Sequence, residues 1–318
     1  MILITGGMGF IGLHTARQLL DAGEDLVLTR YHVRREPDFL AGALGTRITV
    51  ETLDAADSYA VFDLMSRHDI DGVIHLAVPA LGRLAPAEEA RANLAGLLNV
   101  LEAARIAQVR RVTLASSVAV YTGAGPGPWR EDTPLPVASG SPTGAFKKMT
   151  ETVADHYAER TGLDVALLRI GFIYGPLYHS MSNLPSRLAH AAVRGRDPGF
   201  AGPGGSVPLA GDGLDYCYVK DCARAIALLH LAGRLEHRIY NVGGGRVTSN
   251  AEIAEAVAAA CPAATLPELA PGASPGTRPA GRGYMDLARI RGEFGYEPAY
   301  QPAKALADYC GWLSLHEE

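Results

Sequence analysis

Short apolar runs, most of them β-branched and without strict alternation, punctuate the chain at Met1–Ile4, Leu26–Thr29, Ile48–Glu51, Val73–Leu76, Val112–Ala115, Val165–Arg169 and Ile239–Val242. Continuous apolar runs of this length are expected of strands covered on both faces. Between them lie segments with helical spacing at Phe10–Ala22, Ser58–His68, Ala87–Ala107 and Phe146–Arg160. Strands alternating with helices predict an α/β fold with a doubly wound parallel sheet. Beyond Pro176 the pattern loosens, with helices predicted at Leu184–Arg194, Asp221–Ala232, Asn250–Ala260, Leu287–Phe294 and Pro302–Leu313. We read residues 1–175 and 214–250 as the larger domain, with Ile239–Val242 returning to the main sheet. Residues 176–213 and 251–318 then form a smaller, discontinuous α/β substrate-binding domain. No internal repeat is apparent.

The first run breaks into glycines before the first helix begins. Gly7, Gly9 and Gly12 satisfy G-x-G-x-x-G, and Gly6, Gly9 and Gly12 satisfy a looser T-G-x-x-G-x-x-G. In a dinucleotide-binding Rossmann unit these glycines serve a tight turn, close backbone approach to a pyrophosphate, and close packing of helix on strand. The helix opening at Phe10-Ile11-Gly12 directs free N–H groups and the positive end of its dipole at the phosphates, so no lysine is needed there. A glycine-rich turn without a ligand is the plain alternative, but the strand before, the helix after and the next strand supply the context the motif requires. The second strand reads Leu26-Val-Leu-Thr-Arg30, with no acid at its tip and with Arg34 and Arg35 following. An acid there would bind the ribose 2′-hydroxyl of NAD, whereas arginine accommodates the 2′-phosphate of NADP. The expected cofactor is NADP, with NAD the alternative; the same arginines could instead form a solvated cluster or stack on adenine. Asp54, after the third strand, could accept the adenine amino group or take part in capping the next helix.

The 318 residues, 48% hydrophobic and 20% charged, suffice for one large or two modest cores. A net charge of −5 argues against nucleic acid or an anionic membrane as partner. No run is long enough to span a bilayer, and Met1 leads directly into the first strand, so the expectation is a cytoplasmic protein with no membrane contact. Cys217, Cys222, Cys261 and Cys310 show no C-x-x-C spacing and no clustered histidines; neither a disulfide framework nor a metal site is expected. Glycine and proline concentrate at 123–142, 197–213 and 262–283, which read as loops around a site.

Together these residues resemble the extended short-chain dehydrogenase/reductase group, the NAD-dependent epimerase/dehydratase family that includes nucleotide-sugar epimerases and dehydratases. Besides the glycines, the resemblance rests on Asp54-Ala-Ala-Asp57, Val73-Ile-His-Leu-Ala77, Asn93 with Asn99-Val-Leu-Glu-Ala103, and Ala115-Ser-Ser-Val-Ala-Val-Tyr121. It continues through Leu168-Arg-Ile-Gly-Phe-Ile-Tyr-Gly-Pro176, Asp215-Tyr-Cys-Tyr-Val-Lys-Asp221, Tyr240-Asn-Val-Gly-Gly-Gly245 and Tyr284-Met-Asp286. The resemblance implies that Ala55, Leu76 and Ala77 lie along the dinucleotide, that Asn93 interrupts its helix near the site, that Ser117 faces the reacting substrate oxygen, and that Lys147 holds the nicotinamide ribose. It also implies a homodimer built from the helices at Ala87–Ala107 and Phe146–Arg160.

The chain departs from the family where chemistry is done. The resemblance places a tyrosine four residues before the lysine, but this chain reads Ser141-Pro-Thr-Gly-Ala-Phe-Lys147, putting Thr143 in its place. An aliphatic hydroxyl is far less acidic than a phenol of pKa about 10, so Thr143 can bind a substrate or relay a proton but cannot replace the phenol as acid or base. Phe172 stands for a common asparagine, and Leu214 for an arginine that clamps diphosphate; Arg187, Arg278 or Arg282 could supply the charge from elsewhere. Replacement acids or bases are sought among Tyr121, Glu131, Asp132, Tyr174, Tyr178 and His179, the last with an imidazole suited to neutral pH. Lys148 reads as a solvent-facing charge. The expected catalytic set is Ser117, Thr143 and Lys147. The expected function is NAD(P)-dependent oxidoreductase or epimerase chemistry on a small hydroxyl or carbonyl substrate of sugar or secondary-metabolite type. The alternatives are a redox-neutral isomerase or dehydratase that keeps its dinucleotide, and a non-catalytic dinucleotide-binding sensor.

Overall fold

The computed structural model describes residues 1–31, 35–78, 84–200, 206–274 and 283–317. In chain order the first half contains β1 (Ile2–Thr5), α1 (Phe10–Asp21), β2 (Leu26–Arg30), α2 (Asp38–Ala41), β3 (Ile48–Thr52), α3 (Ser58–Arg67), β4 (Gly72–His75), α4 (Pro86–Ile106), β5 (Arg111–Ser117), a 3-10 turn (Val118–Tyr121), α5 (Pro142–Thr161), β6 (Val165–Ile170) and β7 (Phe172–Tyr174). The second half contains α6 (Leu184–Arg194), β8 (Gly213–Leu214), β9 (Tyr216–Tyr218), α7 (Val219–Leu231), β10 (Ile239–Val242), β11 (Thr248–Ser249), α8 (Asn250–Ala260), α9 (Ala288–Phe294) and α10 (Pro302–Leu315).

Seven strands form the main sheet in the order β10-β6-β5-β4-β1-β2-β3, and the expected doubly wound α/β fold is observed. The chain runs outward from β1 through β2 to β3, then crosses back to β4 and continues to β5 and β6, all in parallel register. The reversal of direction between β1 and β4 leaves a crevice outside their carboxyl ends, which is where open α/β sheets bind ligands.

Two compact units are evident. The first comprises Met1–Ala124, Pro134–Ile170 and Ala223–Tyr240. One of its cores is built from Leu3, Val27, Val73 and Val112 of the sheet against Val61 and Leu64 of α3 and Leu97, Val100 and Leu101 of α4. Each such side chain contributes roughly 1.5–3 kcal/mol by burial. α3 starts where the Asp57 carboxylate accepts the Ala60 amide at 3.2 Å, so Asp57, not Asp54, is the cap. At the opposite end of the sheet a buried His230 imidazole lies against Gly72 and bonds Thr113 Oγ1 at 2.9 Å. A Cβ at Gly72 would stand 2.4 Å from that ring. Burial, then the charges of Arg110 and Arg111, holds His230 neutral with its pKa down to about 3.

The second unit comprises Gly125–Thr133, Gly171–Cys222 and Asn241–Glu318. Its core joins Leu184 and Leu188 of α6, Ile253 and Val257 of α8, and Leu306, Tyr309 and Leu313 of α10, with Tyr174, Tyr216 and Tyr218 from β7 and β9. Strands β7 and β9 pair in parallel, and β8 and β11 pair antiparallel. The two acids of the Asp215–Asp221 segment act as loop anchors. Asp215 accepts the amides of Gly244 and Met285 at 2.7 and 2.9 Å, and Asp221 accepts those of Ala299 and Tyr300 at 2.8 and 2.9 Å.

Two sequence expectations are corrected. Helix α4 runs unbroken through Asn93, whose side-chain amide donates to the Glu89 carbonyl at 2.8 Å and so stays within the helical pattern. Helix α5 begins at Pro142 rather than Phe146, because the Ser141 hydroxyl accepts the Gly144 amide at 3.1 Å and proline is pre-set for the first turn.

Candidate active site

The turn from β1 into α1 is shaped for close approach. Gly6 has φ +67° and faces Ala77, whose amide would lie 2.9 Å from a Cβ built at Gly6. A Cβ at Gly12 would stand 2.6 Å from the Gly7 carbonyl oxygen, so the first turn of α1 packs on the loop only because that side chain is missing. The turn is pinned by Gly6 N–H donating to Thr29 Oγ1 at 3.0 Å and Gly9 N–H donating to the Gly6 carbonyl at 2.9 Å. Gly9 caps α1 without a side chain, leaving the helix end at Phe10, Ile11 and Gly12 uncapped by any hydroxyl or carboxylate. A concave backbone surface with an open helix N-terminus suits a dinucleotide pyrophosphate.

The neighbouring strand ends carry the other expected cofactor residues. Arg30 ends β2, opposite Thr52 of β3, and is partly exposed. Arg34 lies outside the described residues. Asp54 is exposed; its Oδ1 accepts the Ala56 amide at 2.9 Å. The Asn99 side chain donates to the carbonyls of Ala55 and Ala56, each at 3.0 Å, fixing this loop against α4. Leu76 follows β4 and donates its amide to the Thr5 carbonyl at 3.0 Å.

Ser117, Thr143 and Lys147 come from β5 and α5. Ser117 ends β5 and caps the 3-10 turn by accepting the Ala119 amide at 3.2 Å. That turn touches α5 at Gly144, where a Cβ would lie 3.0 Å from the Ala119 carbonyl oxygen. Thr143 and Lys147 sit one turn apart on α5, which places them on one face. Neither the Thr143 hydroxyl nor the Lys147 ammonium has a hydrogen-bond or ion-pair partner among the described residues. Enclosure pushes the Lys147 pKa down to about 8, opposed by the carboxylate of Glu151. His75, at the end of β4, shares a 2.7 Å hydrogen bond with Thr5 Oγ1. Burial and then the Lys147 charge lower its pKa to about 3, keeping the ring neutral. Lys148, half-buried, donates to the carbonyls of Pro136 and Ala138 and ties down the loop before α5.

Behind these residues is a buried polar network that the sequence reading did not identify. Glu151 Oε1 accepts from Ser116 Oγ at 2.5 Å and from Arg169 Nε at 2.9 Å, and Oε2 accepts from Arg169 Nη2 at 2.7 Å. Arg169 Nη1 also donates to the Tyr121 hydroxyl at 2.8 Å, with the guanidinium 4.8 Å from the centre of the Tyr121 ring. The sequence signals were the residue one turn after Lys147 and the serine before Ser117. A glutamate in a polar helix reads as surface until tertiary structure encloses it.

Most other candidates for a replacement acid or base have structural partners. Tyr121 belongs to the network just described. Glu131 accepts the Asn241 amide at 2.9 Å, and Asp132 pairs with Arg130 at 3.1 Å on the surface. Tyr174 packs edge-on to Tyr216 and Tyr218, and burial raises its pKa well above that of a free phenol. Tyr178 bonds Ser182, and His179 is exposed. Among the diphosphate-clamp positions, Leu214 packs on the α6, α8 and α10 core, and Arg187 donates to the carbonyls of Pro198 and Gly199. Arg278 and Arg282 lie outside the described residues.

Comparison with known proteins agrees with this architecture. The NAD dependent epimerase/dehydratase family matches residues 2–243. The chain is 31% identical to a dTDP-glucose 4,6-dehydratase of Streptomyces griseus, covering 99% of this chain and 94% of that protein. It is 30% identical to a UDP-glucose 4-epimerase of Azospirillum brasilense, covering 94% and 87%. The crystal structure of Thermus thermophilus UDP-glucose 4-epimerase in complex with NAD superposes with TM-score 0.77 at 27% identity, covering 98% and 97%. With the family matching residues 2–243 and a relative of 31% identity covering nearly the whole chain, the chain is an enzyme of the NAD-dependent epimerase/dehydratase family, within the extended short-chain dehydrogenase/reductases.

Proposed function

We propose that this enzyme performs redox-neutral chemistry, epimerisation or elimination of water, on the sugar of a nucleotide sugar, with Lys147 handling the proton that a tyrosine moves in its relatives. The observation that carries this reading is the half-buried Lys147 ammonium, one turn from Thr143 and without a hydrogen-bond or ion-pair partner among the described residues, with its pKa down to about 8. The turn at Gly6, Gly9, Phe10, Ile11 and Gly12 would hold the pyrophosphate, Arg30 the 2′-phosphate, Asp54 and Ala55 the adenine, and Leu76, Ala77, Asn93 and Lys147 the remainder of the dinucleotide. The bound nicotinamide supplies a hydride acceptor that can return what it takes, so that no external reductant is consumed. Ser117 Oγ holds the reacting sugar hydroxyl. The proton of that sugar hydroxyl passes to the Lys147 amine, while Thr143 Oγ1, on the same face of α5, hydrogen-bonds the substrate. On the return step the Lys147 ammonium gives the proton back.

Incubation with UDP-glucose and dTDP-glucose, followed by ion-pair chromatography and mass spectrometry, tests the reading. Either an epimer of unchanged mass or a product lighter by one water is expected. Failure to convert any member of a nucleoside-diphosphate hexose panel, with dinucleotide bound, would overturn the substrate class.

Arg30 at the β2 tip supports NADP, in contrast to the NAD held by the Thermus thermophilus relative. In binding titrations NADPH should bind more tightly than NADH. Arg30→Ala should narrow the gap by about 10-fold, the scale of one charge-assisted hydrogen bond. Equal affinities before mutation would sink the preference.

A homodimer is proposed through α4 and α5. Leu94 and Leu98, one turn apart on α4, are 36% and 38% exposed, and Leu98 borders an open groove lined by Val153, His156 and Tyr157 of α5. Light scattering at micromolar concentration should give twice the chain mass, and Leu98→Glu should return it to one; a monomeric wild type would refute the proposal.

A further inference from the structure

We infer that Glu151, clamped by Arg169 and Ser116 one turn beyond Lys147 on α5, is the residue that governs the pH at which the Lys147 ammonium gives up its proton. The inference rests on the reading of Lys147 as the proton carrier. Glu151 follows Lys147 by four residues on α5, so the two side chains share a face. Glu151, Ser116, Arg169 and Tyr121 are all buried. Together they tie the end of β5, the 3-10 turn, α5 and β6 into one polar knot.

A buried ion pair is a poor source of stability, because an apolar pair of equal volume is often as good. The location of this one suggests a functional role. Ser116 precedes Ser117, Tyr121 closes the turn that Ser117 caps, and Glu151 stands one turn beyond Lys147. The charged and titratable groups that act on Lys147 are Glu151 on α5 and His75 on β4; Arg169 and Tyr121 bond within the Glu151 network. His75 is neutral, while Lys148 is turned to the carbonyls of the preceding loop. Glu151 is therefore the anion that keeps Lys147 protonated against the pull of burial. Arg169 orients that carboxylate and limits its effect, which leaves Lys147 poised rather than fully charged.

The two partners act with opposite signs. Glu151→Gln removes the anion and leaves the Arg169 cation, so Lys147 should lose its proton at lower pH. Arg169→Gln leaves the anion uncompensated, so Lys147 should keep its proton to higher pH. General loosening of the site would instead move both variants toward the ordinary lysine value.

The test is pH-dependent trace acetylation of the whole protein, with the Lys147 peptide quantified by mass spectrometry, alongside the pH profile of turnover. Glu151→Gln should lower the Lys147 midpoint by about one pH unit, and Arg169→Gln should raise it, on the scale expected for a neighbouring opposite charge. If Glu151→Gln does not fold, Glu151→Asp, which keeps the charge but withdraws it by one methylene, should give a smaller shift in the same downward direction. An unmoved or raised midpoint in a folded Glu151→Gln protein would overturn the inference. A fully active Lys147→Met enzyme would instead overturn the proton-carrier reading on which the inference rests, and the labelling midpoints would still report separately on Glu151.

Discussion

Lys147→Met should lower turnover by about 10²- to 10⁴-fold, the usual effect of removing one well-placed proton-transfer group. The fold should survive, because the ammonium has no hydrogen-bond or ion-pair partner among the described residues to leave stranded and the methionine stem fills similar space. The pH profile follows from the same group. To take a proton from a sugar hydroxyl, Lys147 must be neutral, so the oxidative half-reaction should fall about tenfold per pH unit below about 8 and level off above it. Proton return needs the ammonium and should show the opposite limb. Lys147→Arg separates proton transfer from charge. Guanidinium keeps a cation for the dinucleotide but stays protonated throughout, so binding should hold within several-fold while turnover remains low. An arginine variant as active as wild type would show that Lys147 supplies charge alone, and single-turnover rates at several pH values would measure it.

The sheet was legible from the sequence because its strands are buried on both faces, and uninterrupted runs such as Val73-Ile-His-Leu or Val165-Ala-Leu-Leu have few other uses in a soluble fold. The cofactor turn was legible because Gly6 and Gly12 occupy places where a Cβ has no room, and that requirement imposes a spacing. The start of α5 was obscured by the glycine and proline content of the preceding segment. Ser141-Pro142 nevertheless carried the signal, a capping hydroxyl followed by proline at the first helical position. The short strands β7, β8, β9 and β11 were invisible because two or three residues cannot establish a period. The Glu151–Arg169 pair was hidden for a different reason. Its members lie on separate elements, eighteen residues apart, and each reads alone as an ordinary surface charge; only the fold shows that both are enclosed.

Thr143→Tyr should reduce turnover of the native substrate by about 10²-fold or more, although it restores the side chain that the resemblance places there. Two effects oppose each other. A phenol one turn before Lys147 would be far more acidic than the threonine hydroxyl and could take over proton transfer from a simple alcohol. It would also place a ring on the face of α5 that carries Lys147, where Thr143 now presents a small hydroxyl without a hydrogen-bond partner among the described residues. Which effect wins depends on whether the rest of the site still suits a tyrosine. In the proposed reading the substrate reaches Lys147 past Thr143, one turn away on the same face of α5, so added bulk there stands in its way. The ring should therefore occupy space the substrate uses. Steady-state kinetics on the native substrate would show the loss mainly in kcat/KM. Dinucleotide affinity should be little changed, because the glycine turn is untouched. A Thr143→Tyr enzyme that gains activity while Phe172 and Leu214 remain in place would show instead that threonine merely disabled an otherwise ordinary family site.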